Sequence, residues 1–218
     1  MRSGSSLLTH ILISNPEITG FGETHLKYST DKNYLDLVCK VSLLNRIFIK
    51  MGNERYILDK ILHNHLLEDT DLTLLKKNNC KVIFLVREPE DSVKSIITTL
   101  KYTEKEAIKY YQSRLKHIGS LSQGMDKNIS KYFLKFNELI NDNDNVLTSL
   151  SKFLGLDSRL RPEYKIHRTT GKKGIGDIGN NIFAGRIIAP KANDDISLNE
   201  STIKSLNKIY NDFVKLFN

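Results

Sequence analysis

The order of elements in this sequence predicts an α/β protein built on a parallel sheet. Two observations carry that expectation. The run KVIFLV at 81–86 is β-branched and aromatic, the pattern of a strand buried on both faces, and such strands belong to parallel sheets covered by helices. Around it, segments with apolar residues at helical spacing alternate with short strand-like runs. The chain has 218 residues, 39% hydrophobic and 27% charged, so a single domain over 1–218 is expected.

Taken in order, the pattern predicts a first helix over 7–14, stopped by Asn15-Pro16. Residues 19–25, punctuated by Gly20 and Gly22, read as a loop. A helix over 31–51 follows, with Leu37, Val38, Val41 and Leu44 on its apolar stripe and Gly52 as its stop. Residues 55–60 read as a short strand ending in charge, 69–78 as a helix, and 81–86 as the buried strand. Pro89, Glu90 and Asp91 suit the first turn of the next helix, where a missing N–H costs nothing and the dipole favours acids. TEKE at 103–106 is a capping box opening a helix to 120. A strand over 131–136, a helix over 144–154 ending at Gly155, an irregular Gly-rich stretch over 159–190 and an amphipathic helix over 199–217 complete the chain.

Net charge is +8, from 33 Lys and Arg against 25 Asp and Glu, which favours anionic ligands such as nucleotides or sulfated and phosphorylated substrates. The lysines are scattered and not interleaved with aromatics, so no nucleic-acid partner is expected. Cys39 and Cys80 have no CxxC spacing and no nearby histidine, and are expected to be reduced core residues. No metal-ligand cluster is apparent, so no metal is expected. No stretch resembles a signal peptide, and the longest apolar run, Val82 to Val86, is too short to span a membrane; a cytoplasmic location is the default expectation.

Two stretches carry the chemistry. Arg2 sits in a loop of Ser3, Gly4, Ser5 and Ser6 directly before the first helix. Small residues let several N–H groups converge on one anion at the positive end of a helix, so the loop reads as a phosphate cradle or as an ordinary Ser-capped helix start. It is not a Walker A loop, which needs GxxxxGK(S/T). In the second stretch the strand at 81–86 delivers Arg87 at its carboxyl end, where open α/β sheets bind ligands, and a helix then presents Ser95. Arg87 reads as a phosphate fork or as the partner of Glu90 or Asp91. Gly174, Gly176 and Gly179 spell GxGxxG, but no strand precedes them and no helix follows, so the match is read as chance.

RSGSSLL resembles the phosphosulfate-binding loop of sulfotransferases that use 3′-phosphoadenosine 5′-phosphosulfate (PAPS), and NPEITGFGE resembles the tyrosine-sulfotransferase-like subgroup with a glutamate base. REPEDSVKS, with Arg87 and Ser95, resembles that family's 3′-phosphate motif, and Leu58-Asp59-Lys60 its strand-end lysine. LKFNELI and FLGL are similar to later family segments, with Phe136 where tyrosine is usual, and Lys172-Lys173-Gly174 resembles the loop that closes on the 3′-phosphate. The likeness runs from Arg2 to about Ile188. It implies a three-layer sandwich with a central parallel sheet, P-loop NTPase-like. Only Met1 precedes the loop, so the family's first strand is missing from this sequence and a start at an internal Met is expected.

The resemblance further implies that Arg2, Ser3, Gly4, Ser5, Ser6, Arg87, Ser95, Lys172, Lys173 and Gly174 hold the nucleotide. Arg2 and Lys60 supply cations at the transferred group, and Glu23 is the general base with His25 as its competitor. PAPS is then the donor, adenosine 3′,5′-bisphosphate (PAP) the product, and a hydroxyl on a sugar, lipid, peptide or small molecule the acceptor, with the helices over 31–51 and 103–120 walling its pocket. His63 and His65 read as structural or surface residues; His10 and His117 are assigned no role. The alternatives are a P-loop kinase using ATP, which lacks its Walker lysine here, and a non-catalytic nucleotide- or polyanion-binding protein.

Overall fold

In the computed structural model, described over residues 3–45, 54–61, 72–167, 170–171, 180–190 and 196–217, strands and helices alternate as the pattern predicts. Helix α1 (Ser5–Ile13) leads into strand β1 (Ile18–Gly20), α2 (Lys32–Asn45) and β2 (Tyr56–Leu58). Then come α3 (Thr73–Lys77), β3 (Lys81–Val86), α4 (Pro89–Leu100) and α5 (Glu104–Gly124). The chain continues through β4 (Ser130–Lys135), α6 (Phe136–Asn141), α7 (Asn143–Leu154), a 3-10 turn (Asn180–Ala184) and α8 (Glu200–Val214). The capping box forms as expected, with the Thr103 hydroxyl accepting from the Glu106 N–H and Glu106 accepting from the Thr103 N–H. Gly155 ends α7 in the left-handed conformation.

Among the described residues both strand pairs are parallel, β1 with β2 and β3 with β4, and an isolated antiparallel bridge joins Glu163 and Arg186. Among the described residues these remain two separate pairs, with no ladder joining them. Period-two alternation makes each strand two-faced. Ile83, Leu85, Tyr132 and Leu134 face a core with α1 and α7, joined by Ile18, Tyr56 and Leu58 of the other pair. On the opposite face Val86 and Phe133 meet α4, α5 and α8, while Phe84 joins Met125 and Ile129. Helices therefore cover both faces of the strands, the layering expected of an α/β sandwich.

Several sequence readings need correction. The loop expected over 19–25 overlaps β1, whose three residues Ile18–Gly20 are all buried, so Thr19 and Gly20 are strand residues. Gly20 pairs with Leu58 in the ladder, and a Cβ there would lie 2.9 Å from both the Cβ and the carbonyl oxygen of Leu58, so the strand needs glycine at this position. KVIFLV is buried most fully at Phe84 and Val86 and only partly elsewhere, so it is not a strand sealed on both faces. Phe136 opens the short helix α6 and does not end β4. Neither cysteine is a core residue: both are free, Cys39 exposed and Cys80 half-buried. Cys39 follows Val38 on α2, whose buried stripe is only Leu37 and Val41. The continuation of α2 to 51, its stop at Gly52 and residues 69–71 lie outside the described residues. No helix among the described residues is long and apolar enough to cross a membrane.

Candidate functional site

The first turn of α1 begins at Gly4, whose φ of 77° is left-handed backbone that glycine adopts without strain. Gly4 has no side chain to cap the helix, so the N–H groups of the first turn point out from a positive helix end. Close packing adds a second demand for glycine. A Cβ at position 4 would lie 2.1 Å from Cε2 of Phe136, a buried ring that fills the space under the loop. Ser3 is itself buried beside it.

Two extended segments deliver side chains to this helix end. The parallel pairing of β1 and β2 continues past both strands, with the Lys60 N–H donating to the Gly22 carbonyl at 2.8 Å. Side chains alternate along such a segment. Tyr56 and Leu58 face the core around α1 and Ile57 faces the cluster around α2, so Lys60 turns toward α1 and Asp59 away from it. Lys60 Nζ lies 2.8 Å from Glu23 Oε1, and the two side chains are 8% and 6% exposed. The same ammonium lies 3.3 Å from Ser6 Oγ. Ser6, Lys60 and Glu23 thus meet at the α1 terminus from three places in the sequence. His25, two residues past Glu23, is exposed, at a φ of 57°.

The second cluster forms where β3 ends. The Tyr111 hydroxyl of α5 donates to the Arg87 carbonyl at 2.9 Å, and the Ser92 hydroxyl donates to it at 3.3 Å, which fixes the strand-to-helix turn. The Arg87 guanidinium is 14% exposed and pairs with Asp91 at 3.0 Å, one of the two partners the sequence offered. Its buried Nε has no hydrogen-bond partner. A guanidinium with an N–H still unmatched can take an anion. Ser95 is buried on α4, and burial pushes the carboxyl of neighbouring Glu88 above its usual range.

Phe136 links the two clusters. Its ring touches the backbone at Gly4 and stacks under Arg87, whose Cζ lies 5.0 Å from the ring centroid. The sequence marked this position only for the hydroxyl it lacks; the ring sets the spacing between the α1 terminus and Arg87. His10 was also missed. It is buried on α1, its Nδ1–H donates to the Ser6 carbonyl at 2.8 Å, and its Nε2 lies 2.8 Å from the Thr170 hydroxyl. A lone histidine within a helical run carries no sequence signal for such a tie.

Of the two helices expected to wall an acceptor pocket, α2 packs with Phe21 and Tyr28 beside Glu23. Helix α5 instead packs on α4 and α8, behind Arg87. Arg2, His63, His65, Lys172, Lys173, Gly174, Gly176 and Gly179 lie outside the described residues. Among the described residues no three His, Cys, Asp or Glu side chains are grouped to hold a metal ion.

Comparison with known proteins gives a consistent result. Residues 1–170 match the family model described as the sulfotransferase domain. No match appears among curated protein sequences. Among solved structures the chain is similar to the sulfotransferase domain from the curacin biosynthetic pathway, at a TM-score of 0.59 and 14% identity over 96% of this chain and 94% of that one. It is also similar to the sulfotransferase domain of the Synechococcus PCC 7002 olefin synthase, at a TM-score of 0.59 and 18% identity over 96% and 91%. A mouse sulfotransferase complexed with PAP aligns at a TM-score of 0.56 and 16% identity over 97% and 80%. At these identities the structural likeness establishes the fold.

Proposed function

The chain belongs to the sulfotransferase domain family, and we propose that it transfers a sulfuryl group from PAPS to a hydroxyl acceptor with Glu23 as general base and Lys60 as the cation at the transferred group. The observation that carries this reading is the buried meeting of Lys60, Glu23 and Ser6 at an α1 terminus that has no side-chain cap.

The residues fit the donor nucleotide. The loop Ser3–Gly4–Ser5–Ser6, with Arg2 before it, would hold the phosphosulfate end; Arg87 and Ser95 would hold the 3′-phosphate, with Lys172, Lys173 and Gly174 closing over it. The donor supplies an activated sulfuryl group on a phosphate leaving group. Glu23 takes the proton from the acceptor hydroxyl as its oxygen bonds to sulfur and the old sulfur–oxygen bond to phosphate breaks, giving a sulfate ester and PAP. Lys60 has two tasks within one short reach. Against Glu23 it neutralises a carboxylate that burial would otherwise penalise. Turned toward the helix end beside Ser6, it meets developing negative charge and leaves Glu23 free to accept a proton. Glu23 is favoured over His25 because it shares this buried contact, whereas His25 is exposed.

Thermal-shift measurement tests the reading. PAP at about 100 times its Kd should raise stability by about 2.7 kcal/mol. A shift with ATP–Mg²⁺ and none with PAP would contradict it and favour a kinase-like use of the loop.

A further inference from the structure

Asp59 lies next to Lys60 on the β2 extension. Alternation turns it to the opposite side of the β2 extension, toward the cluster of Tyr28, Leu37 and Val41. There its carboxylate accepts three hydrogen bonds. The Thr24 N–H donates to Oδ1 at 3.1 Å, the Thr24 hydroxyl to Oδ2 at 2.7 Å, and the Tyr28 hydroxyl to Oδ2 at 2.5 Å. Thr24 is 1% exposed and Tyr28 4%, so these are interior bonds. Beyond the backbone bond from Lys60 to Gly22, side chains therefore fasten the two segments at adjacent residues and on opposite faces: Glu23 to Lys60, and Thr24 to Asp59.

We propose that Asp59 is a positioning residue for the catalytic pair, holding the 23–28 segment in the register that brings Glu23 onto Lys60. Gly22 is at a φ of 119° and His25 at 57°, so left-handed backbone stands on both sides of Glu23 and Thr24. Between Gly22 and His25 the acceptor of the Thr24 N–H is the Asp59 carboxylate. Burial, and then the Asp59 charge, push the Tyr28 phenol well above its ordinary range, which keeps Tyr28 a donor to Asp59. A carboxylate that accepts two hydroxyls and an amide fixes direction as well as distance, and the amide belongs to the residue after the base. The catalytic meaning of this role rests on the proposed function of Glu23.

A double-mutant cycle in thermal stability tests it without an acceptor. In the parent protein Glu23→Gln breaks a buried ion pair, a strongly destabilising change, and should lower Tm by at least about 6 °C. In an Asp59→Ala background Glu23 no longer meets Lys60, and the same substitution should change Tm by less than about 1 °C. Calorimetry with PAP should give the same affinity for Asp59→Ala as for the parent. Additive Tm losses, or a loss of PAP affinity, would overturn the proposal and make Asp59 part of the general scaffold. If Asp59→Ala does not fold, Asp59→Asn keeps one acceptor oxygen and the same rule decides. Failure of the functional reading would show separately, as parent protein that does not bind PAP.

Discussion

The α1 terminus and the Arg87 corner each hold one cation against one carboxylate, yet the two pairs are built differently. Lys60 and Glu23 come from separate strand extensions, 37 residues apart by number, and both side chains are buried. Arg87 and Asp91 are one helical turn apart, with Asp91 47% exposed. A local, half-solvated pair contributes little and exchanges easily for another anion. A buried, long-range pair is costly to break, and it forms only when two parts of the fold are in register. The Arg87 corner is thus suited to gripping a ligand phosphate. The Lys60 corner is suited to holding a base in place until charge arrives.

The largest expected effect is at the buried corner. Glu23→Gln keeps the side chain's shape but cannot accept a proton, and should lower turnover by roughly 10²–10⁴-fold while leaving PAP affinity unchanged. His25→Gln is the matched control and should cost far less. Retained turnover in Glu23→Gln together with its loss in His25→Gln would reverse the two roles.

Gly4→Ala should disturb both corners through Phe136. The added Cβ meets a ring that also backs Arg87, at a φ that strains any other residue. The expected loss is about 1–3 kcal/mol of stability, read as a fall in Tm, together with weaker PAP binding. Unchanged Tm and affinity would mean the ring is not a rigid spacer.

The smallest effect is expected at Asp91. Asp91→Asn removes the anion that competes with a ligand phosphate for Arg87, so PAP should bind more tightly by up to about fivefold, the equivalent of a surface pair of ~1 kcal/mol. Weaker binding would mean that Asp91 holds Arg87 in its binding pose.

Much of this arrangement was legible in the sequence, for identifiable reasons. The Ser-Gly-Ser loop before an apolar helix, the arginine after a strand and the lysine at 60 are local patterns, and each sits at a junction of elements as expected. What stayed hidden depends on chain segments meeting. β1 was read as loop because Gly20 and Gly22 are loop residues by propensity, whereas parallel pairing with β2 makes a glycine necessary at position 20. Phe136 and Asp59 are ordinary residues whose importance comes from neighbours more than 30 positions away. His10 likewise becomes visible only when Thr170 is placed beside it.

The most direct test of a single site spanning both corners is calorimetry on Arg87→Ala with two ligands that differ by one group. PAP carries the 3′-phosphate and adenosine 5′-phosphosulfate lacks it. Loss of a charge-assisted contact should weaken PAP by about 1.5–3 kcal/mol and leave adenosine 5′-phosphosulfate almost unchanged. Equal weakening of both ligands would contradict the account, because Arg87 would then support the fold and not the 3′-phosphate.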